Sequence, residues 1–316
     1  MYRKALIVGI EDYGGKNNLG SCVEDAHKME KVLERHGTGK VNFTCTVLTD
    51  EFRKVRQEDL RSELIAHFQT ECDVALFYFS GHGEVNDLGG FLVTPDGGKH
   101  GKGVSMFEVV NLINHSPADH NIIILDCCNS GAMAEFVDQN VSIKRSGISI
   151  LASSRADEKS IERLGGGLLT SMVVAALEGG AANILGQVTI ADVYRFADQL
   201  SKLGEPRPVF KSHVDRLIPI RENKPNVEEK ILRNLPRYFK EKTDLFQLDP
   251  TYEPEEDTSI EAHTMIFGEL QSMNRLRLVV QDPPHKHMYH AAIYSGTCSL
   301  TPLGQFYWTM VVNGNL

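Results

Sequence analysis

The residues best suited to chemistry in this 316-residue chain lie at two places. Ser80-Gly81-His82-Gly83 follows directly on the apolar run Val74 to Phe79, and Asp126-Cys127-Cys128-Asn129-Ser130-Gly131 follows the run Ile122 to Leu125. An imidazole and a thiol are the minimum apparatus for nucleophilic acyl transfer. The imidazole takes or shares the thiol proton, and the thiolate attacks a carbonyl. The two groups meet only if the strands that carry them are neighbours. Gly81 and Gly83 fit the same chemistry: glycines let the backbone come close to a substrate, and a peptide N–H beside the histidine helps hold an oxyanion.

The elements around these stretches alternate. Lys4–Ile10, Val41–Asp50, Val74–Ser80, Asn121–Asp126, Gly147–Ser154 and Arg207–Val214 read as strands. Cys22–Gly37, Val55–Gln69, Val104–Asn114, Leu168–Gly180 and Thr189–Gly204 read as helices. Val41–Asp50 has polar alternate residues, which suits a strand toward an edge. Continuous apolar strands alternating with helices predict an α/β fold with a mostly parallel sheet covered on both faces. Ligands then bind at the carboxyl ends of the strands, where both stretches lie.

Composition shifts after about residue 218. Five prolines and the run Glu253 to Asp257 make residues 219–257 read as a linker with a short helix. Residues 258–316 read as helix, hairpin, helix, a small winged-helix-like α+β module. Between 222 and 316 there are nine Lys and Arg against thirteen Asp and Glu, a balance of −4 within a chain of net charge −9. That argues against nucleic acid as a partner. The apolar runs are too short to cross a membrane, and the N-terminus reads as a strand rather than a signal peptide. The six cysteines form neither a disulfide framework nor zinc-type pairs, so a cytoplasmic, reducing setting is expected. His285, His287 and His290 lack partner cysteines, and no metal is assigned to them.

FYFSGHGE with LDCCNSG, in that order, resembles the caspase-like cysteine peptidases, and most of all their metacaspase and bacterial branch. ALIVGIEDY with LGSCVEDA, and ISILASSRADEKSIE with GGLLTSMVVAALEG, resemble the same family. The resemblance spans about residues 3–215 and implies a caspase-like three-layer fold over 1–218. It implies Cys128 as nucleophile, since the family's thiol directly precedes x-Ser-Gly, and His82 as general base and acid. The backbone N–H groups of Gly83 and Cys128 become the oxyanion donors. Animal caspases cleave after Asp. The metacaspase branch cleaves after Arg or Lys using carboxylates, and Asp25 and Asp126 match those positions. A fork-shaped cation suits a carboxylate. The loop after Gly147–Ser154 lines the family's substrate groove, which makes Ser153, Glu158 and Ser160 candidate substrate contacts. The segment 132–147 matches the loop that many members cut on activation, and its Lys144-Arg145 pair is the expected self-cleavage site.

Other readings stand beside these. Asp126 alternatively caps a helix starting near Asn129, and Asp25 is alternatively a first-turn acid favoured by a helix dipole. Cys127 reads as a packed core thiol, and Cys22, Cys45, Cys72 and Cys298 read as structural. No cofactor is expected, and calcium, which many metacaspases need, has no ligands assignable here. Protein substrates follow from the family. A regulatory partner at the C-terminal module, with Phe306, Tyr307 and Trp308 available for an interface, and a bacterial defence or cell-death setting are further implications. A catalytically idle caspase-like scaffold acting by protein binding is the alternative, and a DNA-binding regulator is disfavoured by the acidic module.

Overall fold

The computed structural model describes residues 1–87, 89–98, 101–127, 145–153, 167–201, 207–284 and 287–316. The chain forms two compact units, Met1–Lys224 and Pro225–Leu316.

The first unit is built on β1 (Arg3–Gly9), α1 (Cys22–Glu34), β2 (Thr44–Thr49), α2 (Gln57–Gln69) and β3 (Val74–Gly81). There follow β4 (Gly83–Asn86), β5 (Gly89–Gly98), β6 (Gly101–Ser105), α3 (Met106–Asn114), β7 (His120–Cys127) and β8 (Ile148–Ala152). Beyond these come α4 (Leu168–Ala175), which runs on through a wider turn to Gly180, then β9 (Gln187–Thr189), α5 (Ile190–Leu200), β10 (Val209–His213) and β11 (Pro219–Glu222). Among the described residues the main sheet has six strands in the order β10-β8-β7-β3-β1-β2. All of its pairings are parallel except β10 with β8. The central strand β3 is buried along its whole length, as its unbroken apolar run requires. The half-polar strand β2 lies at the edge, where one side needs no cover.

Side chains alternate across the sheet and divide the core into two apolar layers. Leu6, Val8, Phe77, Phe79, Ile123, Leu125 and Cys127 face α2 and α3. Ala5, Ile7, Leu76, Tyr78, Ile122 and Ile124 face α1, α4 and α5. The result is the three-layer α/β arrangement expected from the alternation. A separate antiparallel sheet, β4-β5-β6, follows His82 directly. Its glycine-rich strands carry no apolar run, which is why periodicity does not announce them.

The boundary after residue 218 needs correction. β11 belongs to the first unit: it pairs with β9, Ile220 is buried, and the carbonyl of Ile220 accepts from Asn42 Nδ2 at 3.0 Å. Residues 225–257 are no linker either. They contain α6 (Glu229–Leu232), α7 (Leu235–Tyr238) and β12 (Leu245–Gln247), with Leu232, Leu235, Phe239 and Leu248 fully buried. Pro236 and Pro250 start helical turns, a position that tolerates a missing N–H.

The second unit continues with α8 (Glu261–Arg275), β13 (Val279–Asp282), α9 (Met288–Ile293), β14 (Thr297–Leu300) and α10 (Pro302–Val312). β13 and β14 are antiparallel and β12 completes a sheet of order β12-β14-β13. The expected hairpin is therefore two strands joined through a helix. Met288, Ala291 and Ala292 are buried at i, i+3 and i+4, a helical and not a strand spacing. This departs from the helix–hairpin–helix order on which the winged-helix reading rested. Thr301 caps α10 as its sequence suggests, accepting from the Gly304 N–H at 3.1 Å. No helix among the described residues is long and apolar enough to cross a membrane.

Candidate active site

The two sequence stretches lie on neighbouring strands. β3 and β7 are parallel, and their last register pairs are Ser80 with Asp126 and Gly81 with Cys127. Gly81 and Cys127 immediately precede His82 and Cys128 in the chain. Cys128 lies outside the described residues, as do Lys144, Glu158 and Ser160. Cys127 is buried in the layer facing α2 and α3.

His82 is held on several sides. Its backbone N–H donates to Tyr13 Oη at 2.9 Å, and its carbonyl accepts from the Val93 N–H at 3.0 Å. Its Nε2 is 2.8 Å from the carbonyl of Asn17, and the Tyr13 and His82 rings are 4.5 Å apart, tilted by 52°. Tyr13 Oη in turn donates to the Val93 carbonyl at 3.3 Å. Gly81 is explained here: a Cβ would lie 2.5 Å from Tyr13 Oη. Tyr13 went unnoticed in the sequence because nothing in GIEDYGG ties it to a histidine far along the chain. Gly83 pairs with Leu92 on the edge strand β4.

Asp25 and Asp126 come together. Gly167 lies between them: a Cβ there would stand 2.2 Å from Asp126 Oδ2 and 3.1 Å from Asp25 Oδ2. Asp25 comes from the first turn of α1, so its first-turn placement and its place at this site are one fact. It is fully buried, and its Oδ2 accepts from the Gly167 N–H at 2.6 Å. Its Oδ1 has Lys28 Nζ at 3.5 Å, too long for a good hydrogen bond. Burial raises Asp25 to about 6, and nearby Asp126 adds to the rise, while the Gly167 N–H and Lys28 oppose it.

Asp126 caps α4, while the region near Asn129, where a capped helix was the alternative, lies outside the described residues. Its Oδ2 accepts from the Thr170 N–H at 2.9 Å and from Thr170 Oγ1 at 2.6 Å. Thr170 Oγ1 is itself 2.6 Å from the hydroxyl of the fully buried Tyr78. An ionised carboxylate only accepts, so the chain runs in one direction, Tyr78 to Thr170 to Asp126. Burial also raises Asp126, against the pull of its two bonds from Thr170.

Two more residues join this pocket. Cys22, three positions before Asp25 on the same face of α1, has Ser80 beside it, which opposes the effect of burial on its thiol. Burial pushes its thiol up to about 12, with Asp25 and Asp126 nearby. It is therefore a neutral polar wall of the pocket rather than packing alone, a role that its spacing from Asp25 could have suggested. Ser153 is turned inward: its hydroxyl donates to the carbonyl of Cys127 at 3.0 Å. Arg145 lies at the amino end of β8, the sheet edge opposite His82. Its guanidinium donates to the carbonyls of Ser116 and Ala118. Among the described residues no three His, Cys, Asp or Glu side chains are grouped to hold a metal.

The comparisons with known proteins agree with this architecture. The model of the caspase domain matches residues 2–218, and the chain belongs to that caspase-domain peptidase family. Metacaspase-1 of Cryptococcus neoformans var. neoformans serotype D is 35% identical over 96 residues, which cover 28% of this chain and 21% of the relative. Metacaspase-7 of Arabidopsis thaliana is 35% identical over 88 residues, 26% of this chain and 22% of the relative. The chain thus spans about a fifth of the length of the curated relatives it matches. Among solved structures, a Geobacter sulfurreducens protein aligns with TM-score 0.52 at 17% identity, over 71% of this chain and 98% of its own. Caspase-1 from Spodoptera frugiperda aligns with TM-score 0.50 at 14% identity, over 70% and 91%.

Two outcomes follow. Thr170→Val removes the hydroxyl that links Tyr78 to one side of the buried Asp126, costing about 2–3 kcal/mol. A melting temperature roughly 5–10 °C lower is expected by calorimetry, with Thr170→Ser close to wild type. Asp25 gives the second. Between an ordinary 3.8 and about 6, the folded chain keeps a proton that the unfolded chain has released. Its contribution to stability is therefore lost as pH rises through about 6. Asp25→Asn removes that loss, so its melting temperature relative to wild type should be higher at pH 8 than at pH 4. An equal difference at both values would refute the assignment.

Proposed function

We propose that the chain is a cysteine endopeptidase that cleaves protein substrates after Arg or Lys, with Cys128 as nucleophile and His82 as its base and acid. The observation that carries the specificity is the meeting of Asp25 and Asp126 around Gly167. That meeting lies beside the ends of the strands that lead to His82 and Cys128. His82 accepts the thiol proton as sulfur bonds to the scissile carbonyl carbon, and the oxyanion is held by the Gly83 and Cys128 N–H groups. The protonated imidazole then gives its proton to the leaving amine as the C–N bond breaks. Water, deprotonated by the same imidazole, hydrolyses the thioester and restores the thiol. The basic side chain of the substrate binds the two carboxylates. Both are buried with the Gly167 peptide between them, so the start of α4 moves aside to admit it.

Short fluorogenic peptides ending in Arg, Lys or Asp, assayed with and without calcium, test this. Cleavage after Arg and Lys is expected, absent in Cys128→Ala and lowered at least about 100-fold in kcat/KM in Asp25→Asn, since one partner of a buried charge pair is lost. Cleavage after Asp would overturn the specificity. A chain that binds a protein partner but never cleaves would favour the idle scaffold.

Self-cleavage near Lys144 and Arg145 belongs to the same proposal, as a reaction between molecules. Arg145 is anchored at the far sheet edge, which favours cutting by a second copy. Active protein mixed with Cys128→Ala protein should cut the inactive chain in this segment at a rate that grows with concentration. An uncut inactive chain would remove the self-cleavage step. A regulatory partner is placed on the second unit, where Phe306 and Tyr294 are exposed, while Tyr307 is buried and Trp308 donates to the Phe239 carbonyl at 2.7 Å. A cytoplasmic defence or cell-death role is the setting proposed for such an enzyme.

A further inference from the structure

Lys28 stands one turn along α1 from Asp25. Its Nζ lies 2.9 Å from Glu24 Oε1 and 3.5 Å from Asp25 Oδ1, so it ties an outer acid to an inner one. The inner oxygen is closed to solvent and takes no hydrogen bond among the described residues. The other oxygen of Asp25 faces Gly167 and Asp126. Lys28 therefore approaches Asp25 from the side away from the second carboxylate.

Charge counting makes this placement meaningful. Two neighbouring carboxylates carry −2, and one basic side chain brings +1. Sealing the remainder inside a protein is costly, because a buried charge needs a partner. We infer that Lys28 is a specificity-determining residue: with Glu24 solvated at the surface, its ammonium offsets the second of the two buried carboxylates, so that the buried pair is matched to one Arg or Lys side chain. This rests on the reading of Asp25 and Asp126 as the pocket for that side chain.

Among the described residues, the groups facing Asp25 are Cys22, Glu24 and Lys28 from α1, Tyr78 and Ser80 from β3, Asp126 from β7, and the Gly167 N–H and Thr170 from α4. Lys28 is the one cation among these described residues. Lys28 and the Gly167 N–H are the two groups that lower Asp25 against burial and Asp126. Without the ammonium, the pocket relieves its excess charge by taking up a proton, and that proton competes with the guest.

Full-length Cys128→Ala protein, which cannot consume a probe, serves for the test with Lys28, Lys28→Met or Lys28→Arg. Carbon-13 NMR reads the titration of Asp25. Calorimetry at pH 5.5 and pH 8 reads binding of N-acetyl-arginine amide and of its neutral citrulline analogue. Lys28→Met should move the Asp25 titration up by about half to one pH unit, a modest step because the ammonium is partly solvated. It should weaken arginine amide roughly threefold or more at pH 5.5 and tighten it at pH 8, leaving the citrulline analogue unchanged. Lys28→Arg should behave as Lys28. An unmoved titration, or equal weakening at both pH values, overturns the inference alone. No binding of arginine amide to the Lys28 protein at either pH overturns the specificity reading and the inference together.

Discussion

Two carboxylates share one buried place, and much of the first unit is arranged to make that tolerable. An isolated buried carboxylate is unstable in its charged form. Here each has its own compensation. Asp25 takes a peptide N–H from the start of α4 and a longer ion pair from its own helix. Asp126 takes two hydrogen bonds from Thr170, backed by Tyr78. Both acids meet helix N-termini, Asp25 within α1 and Asp126 before α4, where the dipole favours negative charge. Burial still dominates, and both carboxyls titrate above the ordinary range. Under the proposed specificity, the basic side chain of a substrate is the cation that such a pair of carboxylates would take.

The same arrangement depends on strand register. Side chains alternate, so a one-residue slip of β7 against β3 would send Asp126 into the apolar layer beside Phe79 and bring Cys127 to the polar one. The fully buried runs Val74–Phe79 and Ile122–Leu125 forbid such a slip, because each face of the sheet is packed against helices. The chemistry thus sits on the most rigid strands available, while His82 is steadied from the side by Tyr13 and the small β4-β5-β6 sheet.

How much of this can be read from sequence follows from the range of each interaction. The main strands and helices and the edge position of β2 are legible, because hydrophobic runs and periodicity are local signals, whereas the pairing of β3 with β7 joins distant segments and stays a condition in the sequence. Asp25 and Asp126 were legible through family resemblance, but their shared contact with Gly167 and the cap that Asp126 places on α4 were not, since each joins residues distant in the chain. Tyr13, Ser80 and Lys28 are single residues without a motif. The small sheet was hidden by its glycines. The prolines of residues 219–257 give that stretch the composition of a linker, whereas Pro236 and Pro250 open helical turns over buried Leu235 and Leu248.

Ser153 shows how the supporting residues relate to the reacting ones. Placed by resemblance in the groove loop, it turns inward and donates to the carbonyl of Cys127, while its own N–H donates to the carbonyl of Leu125. Those bonds tie the end of β8 to the end of β7 and fix the peptide that leads into Cys128. Tyr13 does the same for His82 through the N–H of that residue. In both cases a hydroxyl from a neighbouring segment holds the backbone of a strand end. Asp25 and Asp126 serve geometry and charge at once, since each carries charge and each ties the first turn of α4 to its own element.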